Sequence, residues 1–260
     1  MAVTVSPGRI DHVSDSPNDP HAPHDRQDPH DPHDPPYVLP LVVRIERAAP
    51  PARTDALETA ARAVLTFLSD PRTADGAGPW HEPVRAWEER GIRKVVRRAR
   101  GSEWRRAEPL PGLTVTGRTA EVRVFPPVPV DAWPKDLARL QVSGTDLTDP
   151  EPPPAPAADV PVLWLSPELE MTAGKAMAQA AHGAQLAWWD LDAAAREAWR
   201  AADFPLAVRT ARDAAHWREL TAGALPVVRD AGFTEIPADS CTVVADHPAL
   251  RLGPEPQIDL

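Results

Sequence analysis

Apolar residues along the chain fall into two stretches of regular rhythm with an irregular one between them. In the first, the apolar run over 38–43 predicts a strand, with Pro40 near its start where a missing N–H is tolerated. Thr54 and Asp55 offer an N-cap, and Leu57, Ala61, Val64, Leu65 and Leu68 then recur at helical spacing. The spacing predicts a second helical segment over 80–100, interrupted by Gly91. Strands are expected over 113–115 and 121–125, the latter alternating Val122 and Val124 with charged residues, and a short helix over 133–140. The second stretch predicts a strand over 160–165, a long Ala-rich helix over 172–191 and a helix over 193–202. A strand over 206–209, a helix over 214–220 and strands over 225–228 and 241–245 follow.

Strands alternating with helices imply an α/β sheet that is at least partly parallel. The expected fold class is therefore α/β: a C-terminal three-layer α/β domain with a small mixed four-stranded sheet, preceded by a smaller α+β domain. The boundaries follow composition. Residues 1–36 are expected to form a disordered tail, its part over 21–36 repeating Asp-Pro-His units with almost no apolar residues. Residues 37–143 form the first domain, 144–158 a Pro-rich, semi-rigid linker, 159–252 the second domain and 253–260 a short tail. A strand followed by an Ala-rich helix occurs in both halves, a faint sign of an internal duplicate.

Composition narrows the chemistry. The formal net charge of −10 argues against a surface that is basic all over, while leaving room for a local basic patch. One cysteine, Cys241, permits neither a disulfide framework nor a cysteine zinc site, which fits a reducing, cytoplasmic setting. In its apolar strand context it reads as a small buried hydrophobe rather than a nucleophile. No apolar run reaches the roughly 18 residues of a membrane span. Outside the His-rich tail no metal-ligand spacing occurs, so neither metal nor cofactor is expected.

Two motifs carry candidate chemistry. The first runs from Met171 to Ala184. With Thr172 as N-cap, Lys175 stands in the first helical turn, where the helix dipole disfavours a cation by a few tenths to about 1 kcal/mol. The arrangement makes sense if lysine and helix start both face an anion. Lys175, Gln179 and His182 share one helix face, and Gly174 permits close approach to the backbone. The second motif is Asp230-Ala231-Gly232-Phe233-Thr234, a turn leaving a buried strand, where ligand-facing residues gather in α/β sheets.

Together these motifs resemble the archaeal/eukaryotic type of peptidyl-tRNA hydrolase. The matching residues are Met171, Gly174, Lys175, Ala178-Gln179 and His182-Gly183, then Asp230-Ala231-Gly232, Thr234 and Thr242 in the last strand. The resemblance covers residues 160–250. It departs from the family at Glu170 and Ala173, where further lysines are usual, and at Asp246-His247-Pro248, where a Gly-Pro is usual.

The resemblance implies hydrolysis of the ester joining a peptide to the 3′ ribose of tRNA, with peptidyl-tRNA as partner and a homodimer as a possible assembly. Lys175 would stabilise the oxyanion or a phosphate. Asp230 would orient or deprotonate water. Gln179, Thr234 and Thr242 would position water or ribose, and Gly174 and His182 would line the substrate side. A cluster of arginines between Arg90 and Arg106 is spaced, at Arg90, Arg93, Lys94 and Arg97, for one helical face. Arg93 and Arg97 are therefore candidate phosphate contacts, with Trp87 and Trp104 as candidate stacking platforms for bases. The alternative is a non-catalytic tRNA- or RNA-binding adaptor that keeps the hydrolase fold.

Overall fold

The computed structural model describes residues 36–232 and 234–251, all within one compact unit. The expected N-terminal tail, apart from Pro36, and the tail over 253–260 lie outside the described residues. The first half contains β1 (Tyr37–Arg44), α1 (Arg53–Ser69), α2 (Pro71–Ala74), α3 (His81–Glu89) and β2 (Lys94–Ala99). It continues with α4 (Ser102–Ala107), β3 (Leu113–Thr116), β4 (Glu121–Val124), β5 (Val128–Pro129) and α5 (Lys135–Ala138). The second half contains β6 (Val162–Leu165), α6 (Ala173–Asp190), α7 (Ala193–Ala201), β7 (Ala207–Thr210), α8 (Ala214–Ala222), β8 (Val227–Arg229), β9 (Cys241–Asp246) and α9 (Pro248–Arg251).

Two small mixed sheets result. The first has the order β2-β1-β4-β3, with β5 added to β1; β2 runs parallel to β1, and β4 antiparallel to both β1 and β3. The second has four strands in the order β7-β6-β9-β8, with β7 parallel to β6 and β9 antiparallel to β6 and β8. The C-terminal sheet is the small mixed four-stranded sheet expected for this half, and its β6–β7 pair is the parallel part that the alternation of strands and helices implies. It carries α6 on one face; on the other, Trp217 of α8 packs against Val244.

The largest core joins both halves. Helices α1 and α6 pack together between the sheets, so that Leu41, Leu57 and Phe67 belong to the same apolar cluster as Leu163, Met177 and Val243. Small residues make this close packing possible. An added Cβ on Gly183 would come within 2.7 Å of Val243 Cγ1, below any real contact of that kind. Gly183→Ala is expected to destabilise the fold by about 1–3 kcal/mol through overpacking, read as a lower urea midpoint; an unchanged midpoint would show that Val243 moves aside freely.

The segment over 80–100 departs from expectation. It is not one helix: α3 ends at Glu89, Gly91 takes φ +83°, and residues 94–99 are a strand paired with β1. The basic residues mimic a helical repeat, but Gly91 turns the chain and the β-branched Val95-Val96 suit the sheet. The proposed basic helical face therefore does not exist. Trp87 is fully buried and Trp104 is 3% exposed, so neither can stack on an unpaired base. The start of α1 is also shifted: Ala52 is its cap residue, and Thr54 and Asp55 stand inside the first turn.

Candidate functional site

Strands β6 and β8 are both antiparallel to β9, so they end on the same edge of the sheet, where β9 begins. The loop from β6 into α6, the turn after β8 and the first residues of β9 therefore converge. This is the edge where α/β sheets collect ligand-facing groups. It brings together Lys175 from α6, Asp230 and Thr234 from the turn, and Thr242 from β9.

The ammonium of Lys175 pairs with Asp230 Oδ2 and donates to Thr234 Oγ1 at 3.1 Å. Gln179, one turn along α6, donates from Nε2 to the same Asp230 oxygen at 2.7 Å. Thr242 donates in turn to Gln179 Oε1 at 2.5 Å, which fixes the orientation of the amide. The other Asp230 oxygen accepts from Gly232 N at 2.9 Å, closing the turn. Gln179 and Thr242 are buried, whereas Lys175 keeps 11% of its side chain exposed. The result is a buried support holding one partly exposed lysine and one buried carboxylate, with Thr234 on the open side.

Two residues that sequence reasoning gave no role complete the support. Glu235 accepts from Thr172 N at 3.0 Å and from Thr172 Oγ1 at 2.7 Å, tying the Asp230 turn to the cap of α6. Thr145, from the segment joining the halves, accepts from Gly174 N at 3.0 Å and is 1% exposed. The close approach that Gly174 permits is thus made by the chain's own Thr145. Glu235 lies within the second motif, so position alone could have marked it; nothing near Thr145 in sequence points to α6.

His182 lies farther along the same helix. Its Nε2 is out of reach of solvent and has no hydrogen-bond partner. Burial pushes its pKa well down, helped by the nearby charges of Lys94 and Lys175. Arg97 is taken up on the first sheet: its guanidinium donates to Leu140 O at 2.5 Å and stacks 4.3 Å over Trp133. Arg93 precedes β2, and its carbonyl accepts from Trp87 Nε1 and Leu39 N. Among the described residues, no hydrogen bond or ion pair draws Arg97 into the Lys175–Asp230 network. The unusual Asp246-His247 closing β9 is structural: Asp246 accepts from Trp164 and Arg251, and His247 packs on Trp199. Among the described residues no three His, Cys, Asp or Glu side chains gather in a way that could hold a metal ion, and no helix is long and apolar enough to cross a membrane.

Lys94 is a buried lysine between the halves. It bonds Gln185 Oε1 at 2.5 Å, and Gln185 Nε2 is left without a partner. Burial drives the lysine pKa far down, with only partial relief from Glu88. A base with a lowered native pKa costs stability in full below that value, and the cost is relieved as pH rises from it toward the ordinary lysine value. Lys94→Met combined with Gln185→Leu is expected to stabilise the fold near neutral pH by about 1–4 kcal/mol, seen in thermal melts; a lower melting temperature would show that the polar pair is net favourable.

A lysine–carboxylate pair fixed at a helix start, on the loop edge of a mixed α/β sheet, is a site equipped for acid–base and oxyanion chemistry on a bound ester or phosphate. Residues 160–253 match the model of the family Peptidyl-tRNA hydrolase PTH2, which covers the second sheet and every residue of this network but Thr145. No curated protein and no solved structure matches the chain.

Proposed function

We propose that the second half hydrolyses the ester of peptidyl-tRNA, releasing peptide and reusable tRNA. The observation that carries this reading is the supported Lys175–Asp230 pair, formed by the family-matched residues themselves. Asp230 is bound on both oxygens, to Lys175 and Gln179 on one and Gly232 on the other. It is held in place to orient water and to take up its proton as the carbonyl is attacked. Lys175 stands in the first turn of α6, where the helix dipole adds to its charge. Both stabilise the oxyanion of the tetrahedral intermediate, and the proton passes to the leaving ribose oxygen as the ester breaks. Thr234, exposed beside Lys175, positions water or ribose, while Gln179 and Thr242 hold the carboxylate from behind. In this reading the chain acts in the cytoplasm, where translation supplies its substrate.

The test is release of labelled peptide from peptidyl-tRNA by the full chain. Turnover above buffer, lost in a Lys175→Ala, Asp230→Ala double variant, is expected. A second reading, an RNA-binding adaptor without turnover, is favoured by Glu170 and Glu235 beside the helix start, which lower the positive potential that tRNA would meet. Saturable tRNA binding with release equal to buffer would decide for the adaptor.

A further inference from the structure

We infer that residues 36–143 are a second, silent copy of the hydrolase-like fold, built into the chain as the permanent partner of the α6 face. The two sheets have the same topology: the first strand of each half is central, its next strand is added in parallel, and an antiparallel hairpin lies on the other side. The order of elements is also the same, a strand, a long helix, further helix, the parallel strand, another helix and the hairpin; α2 and β5 are additions to the first copy.

The long helices align without a gap at a constant offset of 120 residues, Ala60 against Ala180 and Asp55 against Lys175. They meet along the same stripe. On α6, Gly174 N bonds Thr145 and Gln185 bonds Lys94 of β2, which turns the Gly174, Ala178, Ala181, Gln185 face away from its own sheet. On α1, Thr54 N bonds Asp149 at 2.8 Å and Glu58 accepts from Val208 N and Arg209 of β7, on the equivalent face. Helix α6 thus reaches the edge strand of the first sheet and α1 that of the second. A reciprocal contact of this kind is what an approximate twofold axis produces. The joining segment supports the symmetry, since Thr145 caps α6 and Asp149 caps α1 at positions that correspond, Gly174 and Thr54.

The centre of the first copy is rewired. Where α6 has Lys175, α1 has Asp55, and its carboxylate accepts from Thr119 N and Oγ1, Arg118 N and Ala120 N in the β3–β4 turn. Where α6 has Gln179, α1 has Thr59. The turn residue over these two is Gly117, whose Cβ, if present, would lie 2.2 Å from Thr59 Oγ1 and 2.8 Å from Asp55. The carboxylate has moved from turn to helix, the lysine is gone, and no space remains for water or ribose. The first copy is left with one task, covering α6.

This inference rests on the hydrolase reading only for the word silent; the pairing is tested without turnover. The full chain is expected to scatter light as a 28.2 kDa monomer at every concentration. In native-state hydrogen exchange, α1 and α6 should open together. A dimer that dissociates on dilution, or α1 opening while α6 stays protected, would overturn the pairing. For the silent centre, Asp55→Asn and Thr59→Ala should keep kcat/KM within about twofold of wild type per folded molecule, folding being checked by circular dichroism, whereas Lys175→Ala loses it. If Asp55→Asn fails to fold, Thr59→Ala decides alone; loss of turnover in a folded first-copy variant equal to that of Lys175→Ala would overturn silence. Should wild type itself show no turnover, the hydrolase reading fails while the mass and exchange results still decide the pairing.

Discussion

Lys175→Ala is expected to lower kcat/KM for peptidyl-tRNA by about 10²–10³-fold, the usual cost of removing one group that faces a developing oxyanion. The fold should hardly register the change. Asp230 keeps Gln179 Nε2 and Gly232 N as donors, Gln179 keeps Thr242, and the cap of α6 rests on Thr172, Glu235 and Thr145 rather than on the lysine. Loss of turnover with an unchanged melting temperature would therefore place the effect in the chemistry. Lys175→Arg is not expected to restore it, since a planar fork cannot place one point charge against both Asp230 Oδ2 and Thr234 Oγ1. A Lys175→Ala variant with wild-type kcat/KM would end the assignment of the ammonium to the reaction.

The largest expected effect on stability lies in the other half. Asp55→Ala removes a 2% exposed carboxylate that four donors in the β3–β4 turn address. Stranding those donors costs about 1–3 kcal/mol for each that stays dry, so a loss of at least about 3 kcal/mol is expected in urea unfolding. Burial works against the Asp55 charge, but the hydrogen bonds from Thr119, Arg118 and Ala120 outweigh it and hold the pKa below the usual carboxylate value. An acid with a lowered native pKa contributes stability above its unfolded value, and that contribution fades as pH falls toward the native one. Asp55→Asn should therefore flatten the acid limb of the stability–pH curve and lower its neutral plateau. A parallel curve, merely displaced, would show that another carboxylate controls acid unfolding.

The centre of the second half was legible because its chemistry is local. Helix spacing puts Lys175 and Gln179 on one face, Asp230 stands in a turn at a strand end, and the family resemblance joined the two motifs; the sheet then had only to bring two nearby loops together. What escaped the sequence depends on partners distant in the chain. The register of arginines over 90–97 imitates a helix, and only the pairing of β2 with β1 decides for a strand. Trp87 and Trp104 look like surface aromatics among arginines, yet each fills a core that forms only when the sheet does. Thr145 holds α6 from 29 residues away through a bond that leaves no trace in local composition, and Glu235, though inside the second motif, shows its role only when the turn meets Thr172. The kinship of the halves was faint for a related reason: packing requires alanines and apolar strands of both copies, whereas the residues that would have marked common descent, Lys175 and Asp230, are those the first copy has replaced.

The segment carrying Thr145 and Asp149 is short, and it ties both helix starts to one stretch of backbone. Partners joined this way meet at an effective concentration in the millimolar range or above, whatever the dilution outside. Each face can then change by itself. In an assembly of identical subunits every substitution at the axis occurs twice and meets its own image; here Gln185 can face Lys94 on one side while Glu58 faces Arg209 on the other. Covalent joining releases the contact from self-complementarity, and the lopsided polar pairs across it record that freedom.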